Sequence, residues 1–94
     1  MKAMHKQPKM WDIIATADGP NCINIEIHEE LIIEKAHIKV LGQNRNLLLS
    51  SNITERNIKF CVETGTPTFV ELSTCCGTVV TYVKGSGYEA YKLN

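Results

Sequence analysis

Along residues 22–27 isoleucine alternates with polar residues: Ile23, Ile25 and Ile27 fall on one side of an extended chain, Asn24 and Glu26 on the other. That period of two marks a half-buried β-strand. The preceding run, Trp11 to Thr16, is apolar and β-branched, and residues 17–21 (ADGPN) between the two runs carry a strong turn signal. The pair is expected to form an antiparallel hairpin, with Trp11 and Ile13 on one face of the first strand. Alternation returns in Ala36, Ile38 and Val40, followed by a turn around Gly42. A short strand over residues 45–51 comes next, and either of its faces suits burial.

Residues 28–35 (HEELIIEK) have acidic residues at their start and basic ones at their end, as a helix dipole prefers, but their apolar spacing makes a poor helical stripe. Residues 53–64 carry boundary signals for a helix. Asn52 is placed to cap, Glu55 stands three residues on, Gly65 suits a left-handed end, and Pro67 forbids continuation. Ile58, Cys61 and Val62 then share a face. The same segment also alternates as a strand through Ile58, Phe60 and Val62, but the boundary signals favour the helix. The remainder reads as strands at 68–74, 77–84 and 88–93, the last two separated by Gly85-Ser86-Gly87.

The expected fold class is α+β and β-dominated: a mostly antiparallel sheet of six or seven short strands with one helix near 53–64. A small all-β barrel or sandwich is the alternative. Residues 1–9 are polar and read as a flexible lead-in, and residues 10–94 as a single compact domain.

Charge narrows the function classes. Ten basic and ten acidic residues give a formal net charge of zero. Nucleic-acid binding leans on a surplus of Lys and Arg, and Lys2, Lys6 and Lys9 are a small cluster for that purpose. Nucleic acid is therefore not an expected partner, and no apolar run approaches the length of a membrane span. The basic start lacks the apolar stretch of a secretory leader, so a cytoplasmic location is expected. In that setting the sequon at Asn52-Ile53-Thr54 would go unused.

The chain has four cysteines. Cys75 and Cys76 are adjacent; in an extended strand their sulfurs would leave opposite faces and a mutual bond would be strained, so they read first as core or turn residues, with a redox-sensitive pair as an alternative. A zinc site would need Cys22, Cys61, one of Cys75 and Cys76, and a histidine to converge from distant segments, without the CxxC or HxxxH spacing of common zinc sites. Disulfides are not expected in a reducing cytosol. His28 and His37 stand nine residues apart, about 13 Å along a helix, and do not make a metalloprotease motif. Gly85-Ser86-Gly87 has the spacing of neither a nucleophile elbow nor a phosphate-binding loop.

No catalytic residue and no cofactor is therefore assigned, and an enzyme is disfavoured. The leading expectation is a small non-catalytic binding protein (a regulator, inhibitor or adaptor, of the size of phage or mobile-element accessory proteins) that docks on a protein partner. Tyr82, Tyr88, Tyr91 and Trp11 are the residues expected to serve it, although a lone tryptophan more often packs in the core. Self-association into a homodimer through an edge strand or an apolar sheet face is also expected, the edges being the segments around 31–42 and 88–94. The second expectation is a small-ligand or nucleotide pocket, between strands or at a dimer interface, using Gly65, Thr66, Gly85, Ser86 and Gly87. The third is the zinc or thiol protein built on the four cysteines.

Overall fold

The computed structural model describes residues 7–86. Seven strands form two antiparallel sheets. The first sheet holds β1 (Ile13–Ala17), β2 (Cys22–Ile27) and β5 (Asn57–Cys61), in the order β1-β2-β5. The second holds β3 (His37–Leu41), β4 (Leu47–Asn52), β6 (Phe69–Thr74) and β7 (Gly77–Tyr82), in the order β4-β3-β6-β7. The sheets remain separate rather than closing into a barrel. The fold is β-rich, as the alternation predicts.

The isoleucine pattern explains the layer between the sheets. Ile23, Ile25 and Ile27 of β2 pack into one buried cluster with Ile38 and Val40 of β3 and Leu72 of β6. Burying each such side chain is worth about 1.5–3 kcal/mol. A one-residue slip of either strand would turn that set to water, so the register is strongly specified. Leu31, within the poorly striped segment 28–35 that connects β2 to β3, is fully buried in the core cluster. That segment forms turns rather than a helix; Leu31 N–H donates to His28 O and Ala36 N–H to Ile33 O.

The expected helix at 53–64 is absent. Asn57–Cys61 instead forms β5 and pairs along its length with β2, Cys61 opposite Cys22 and Ile58 opposite Ile25. Ile58 and Phe60 lean inward on the core, while Asn57, Lys59 and Cys61 are exposed. The local capping signals are outweighed by a ladder whose partner strand is distant in sequence. Asn52, the expected cap, ends β4, and its side-chain oxygen meets His37 Nδ1 at 2.9 Å.

The expected edge near 31–42 is also revised. Residues 37–41 form β3, which lies inside the second sheet between β4 and β6. The other expected edge, 88–94, lies outside the described residues.

One flank of the sandwich is laced shut. Lys84, just past β7, accepts a hydrogen bond from Ala17 N–H at 2.7 Å and donates its own N–H to Ala15 O at 2.9 Å. This short parallel bridge joins the edge of the first sheet to the end of the second.

Candidate functional site

The strand at Ile13 does not extend back through Trp11, because Asp12 intervenes. Asp12 is 2% exposed, and its Oδ2 accepts the Lys9 N–H at 2.9 Å, while Asp12 N–H donates to Lys9 O. These bonds wind Met10–Asp12 into a single 3-10 turn. The turn throws Trp11 outward, leaving it 74% exposed, and Met10 is 49% exposed. The core position expected for the tryptophan is thus overturned. Ile13 fills a buried place instead, and Ile14 emerges on the other face of β1, 43% exposed.

Between this turn, β1 and β7 lies a groove of about 330 Å³, framed by Met10, Trp11, Ile14, Thr81, Tyr82 and Lys84. Two residues expected to bind a partner, Trp11 and Tyr82, come together here from distant parts of the chain. Tyr88 and Tyr91 lie outside the described residues. Lys9 reaches over the indole, its Nζ 6.0 Å from the ring centroid, within the range of a weak cation–π attraction. A cluster of exposed apolar side chains with basic groups at its border is the usual form of a protein contact surface.

A second hollow, of about 300 Å³, opens at one end of the sandwich between Gly19, Pro20, Cys22, Thr66, Gly85 and Ser86. Three of the expected ligand-binding residues, Thr66, Gly85 and Ser86, meet there. Gly65 is bound to the same loop pair, its carbonyl accepting Asn21 Nδ2 at 3.1 Å. Gly87 lies outside the described residues. The lining holds no basic side chain among the described residues, so a phosphate would depend on backbone amides and the Thr66 and Ser86 hydroxyls, without a counter-charge.

The four cysteines do not converge. Cys22 and Cys61 are opposite one another on β2 and β5 and form a disulfide, their Cα atoms 4.0 Å apart. Ile27 N–H donates to Arg56 O, and Val62 N–H to Asn21 O. Those bonds make Cys22–Cys61 a non-hydrogen-bonded pair, the kind in which facing side chains are closest. Cys75 and Cys76 also form a disulfide, with Cα atoms 3.8 Å apart. They occupy the two-residue loop between Thr74 and Gly77, the last paired residues of β6 and β7. The reading of thiols pointing apart fails because it assumes an extended strand; a loop turns consecutive side chains toward a common side. A core role fails as well, since Cys75 is exposed and Cys76 only half-buried, whereas the turn position expected for the pair is the one it occupies.

One further cluster has no counterpart among the expected sites. On the outer face of the second sheet, His37 Nε2 meets Ser50 Oγ, and His37 Nδ1 meets Asn52 Oδ1. The order resembles a nucleophile, base and orienting group. The cross-strand pairing of His37 with Asn52, and the alternation that puts Ser50 beside Asn52, is the only signal that could have found it. The cluster stands on an exposed sheet face, with Ser50 and Asn52 on the edge strand β4. Acyl transfer needs free donors gathered around a developing oxyanion in a water-poor site. The arrangement is read as a polar cross-strand contact.

Among the described residues, no group of three or more His, Cys, Asp or Glu side chains is placed to hold a metal, and no helix is long and apolar enough to cross a membrane. Comparison with protein-family models, curated proteins and solved structures finds no match for this chain.

Proposed function

We propose that the chain is a non-catalytic binding protein that docks on a protein partner through the groove between the Met10–Asp12 turn, β1 and β7. The observation that carries this reading is Trp11, an indole 74% exposed on a turn whose backbone is pinned by a buried carboxylate. Exposing a tryptophan forgoes the burial of a large apolar surface, and holding its backbone in place reduces the ordering cost on binding. Interfaces concentrate their energy in such side chains.

Charge supports a narrower reading of the partner. Lys9 borders Trp11, and Lys84 lines the groove, so the best-matched partner segment presents an apolar side chain flanked by carboxylates. A two-fold pairing of two grooves would bring these lysines toward their counterparts, which favours a different protein as occupant. Self-association through another surface remains part of the proposal; a strictly monomeric particle in sedimentation would remove it.

The test is photo-crosslinking in the native host, with a benzoylphenylalanine replacing Trp11. A discrete adduct is expected, lost when Ile14→Asp is added. Adducts no more selective than those from the same probe at exposed Glu55 would overturn the reading.

The hollow at Thr66, Gly85 and Ser86 supports a second reading, a small-ligand site, because two distant segments supply residues expected for that role. A thermal shift with nucleotides or neutral metabolites is its test. The proposed cytoplasmic location has to contend with two disulfides, which form and persist in oxidising compartments. Rapid alkylation of cells followed by thiol counting decides it.

A further inference from the structure

The segment carrying Trp11 is anchored at two points. At its far end Asp12 is buried and bonded to Lys9. At its near end it rests on the β6–β7 loop: Pro8 is buried, and a Cβ added to Gly77 would stand 2.8 Å from Gln7 Cγ and 3.3 Å from Pro8 Cδ. Gly77 directly follows the Cys75–Cys76 pair. Only the absence of a side chain there lets Gln7 and Pro8 approach, so the position of this loop and the position of the Trp11 segment are tied together.

The two disulfides differ in what they do for the fold. Cys22–Cys61 spans 39 positions and cross-links β2 to β5. Cys75–Cys76 spans a single position, in a loop already closed by the β6–β7 ladder and by Cys76 N–H donating to Thr74 Oγ1 at 3.1 Å. A cross-link stabilises a fold chiefly by restricting the unfolded chain, and adjacent residues offer almost nothing to restrict. Linkage is reciprocal: the fold stabilises each sulfur–sulfur bond by as much as that bond stabilises the fold. The long-range bond is therefore protected by the domain, and the vicinal bond is left open to exchange.

We propose that Cys75–Cys76 is a thiol–disulfide exchange site whose oxidation state positions the segment bearing Trp11 and thereby controls docking at the groove. Only the last step rests on the docking function proposed above. In the forward reaction a thiolate of a small dithiol attacks the exposed Cys75 Sγ, the bond to Cys76 Sγ breaks, and Cys76 leaves as a thiolate that takes up a proton. The second thiol of the reductant then attacks its own sulfur in the mixed disulfide and releases Cys75. The protein gains two electrons and two protons, and the reductant ends as a cyclic disulfide. Glutathione disulfide reverses the change, yielding two glutathione thiols.

The chain has one tryptophan, so fluorescence reports on the proposed moving part without any partner. The oxidised full chain is equilibrated in graded mixtures of reduced and oxidised dithiothreitol, alkylated, and mapped by mass spectrometry, while Trp11 emission and far-UV circular dichroism are followed. Cys75–Cys76 is expected to open at a dithiol-to-disulfide ratio at least about tenfold lower than Cys22–Cys61. Trp11 emission and its quenching by acrylamide should shift in that first transition, with dichroism unchanged. Both changes should vanish in a Cys75→Ser/Cys76→Ser variant.

Opening of the two pairs together, or a first transition to which Trp11 is blind, overturns the proposal. The wild-type mapping decides the order of opening even if no variant folds. The two readings also fail separately. A redox-dependent Trp11 with no selective crosslinking removes the docking function alone, and crosslinking indifferent to oxidation removes the switch alone.

Discussion

The Cys22–Cys61 and Cys75–Cys76 regions use the same bond for different ends. The first lies on the outer face of the three-stranded sheet, where two strands distant in sequence are stapled at facing positions. The second sits in a two-residue loop between strands that are consecutive and already paired. On chain-entropy grounds the first contributes about 4 kcal/mol and the second about 1 kcal/mol or less. A bond that contributes little to the fold is free to respond to its surroundings, so sequence separation, more than sulfur chemistry, assigns the roles.

The sharpest way to break this comparison is to remove the long-range staple. Cys22→Ser/Cys61→Ser should lose about 3–4 kcal/mol in urea unfolding without reductant; a loss below about 1 kcal/mol would make the two bonds equivalent. Next in size is Gly77→Ala. At φ +151° and with Gln7 Cγ only 2.8 Å from the new Cβ, it should cost about 1–2 kcal/mol and perturb Trp11 emission in the oxidised protein. Cys75→Ser/Cys76→Ser should change the stability in urea by no more than about 1 kcal/mol while abolishing the redox response of Trp11.

The smallest effect belongs to Asp18, whose carboxylate meets Lys59 Nζ at 3.0 Å two residues before Cys61. Hydrogen bonding and Coulomb attraction from Lys59 lower its pKa from the ordinary 3.8. A group with a depressed folded pKa adds stability above its unfolded value, and that addition disappears as pH falls through the lowered one. The difference between wild type and Asp18→Asn should therefore be small at pH 7, shrink below about pH 4, and be screened by salt. Unequal urea midpoints persisting at about pH 2 would show that the amide replacement alters more than charge.

What is legible in the sequence follows from range. Ile23, Ile25 and Ile27, and Ile38 with Val40, announce their strands because a period of two is a local property with a tertiary purpose. Asn57–Cys61 reads falsely as helix because the signals around it, Asn52, Glu55 and Gly65, are local, whereas its ladder with β2 is not. The Cys22–Cys61 bond is hidden for the same reason: it emerges only once those two strands are in register. Trp11 is misplaced when the β1 alternation is carried two residues too far. Asp12, by turning its carboxylate back to Lys9 N–H, ends that pattern before it reaches the indole. The meeting of Thr66 with Gly85 and Ser86 can be foreseen as parts but not as a place, since loops come together only through the sheets that carry them.

The Lys84 bridge has a consequence for growth. By occupying Ala15 O and Ala17 N–H, it withholds from β1 the ladder positions that an incoming chain would copy, so head-to-tail stacking into filaments cannot start at that stretch of the border. A domain that displays an indole and an isoleucine around one groove can thus remain sticky for side chains while its neighbouring backbone is closed to templating.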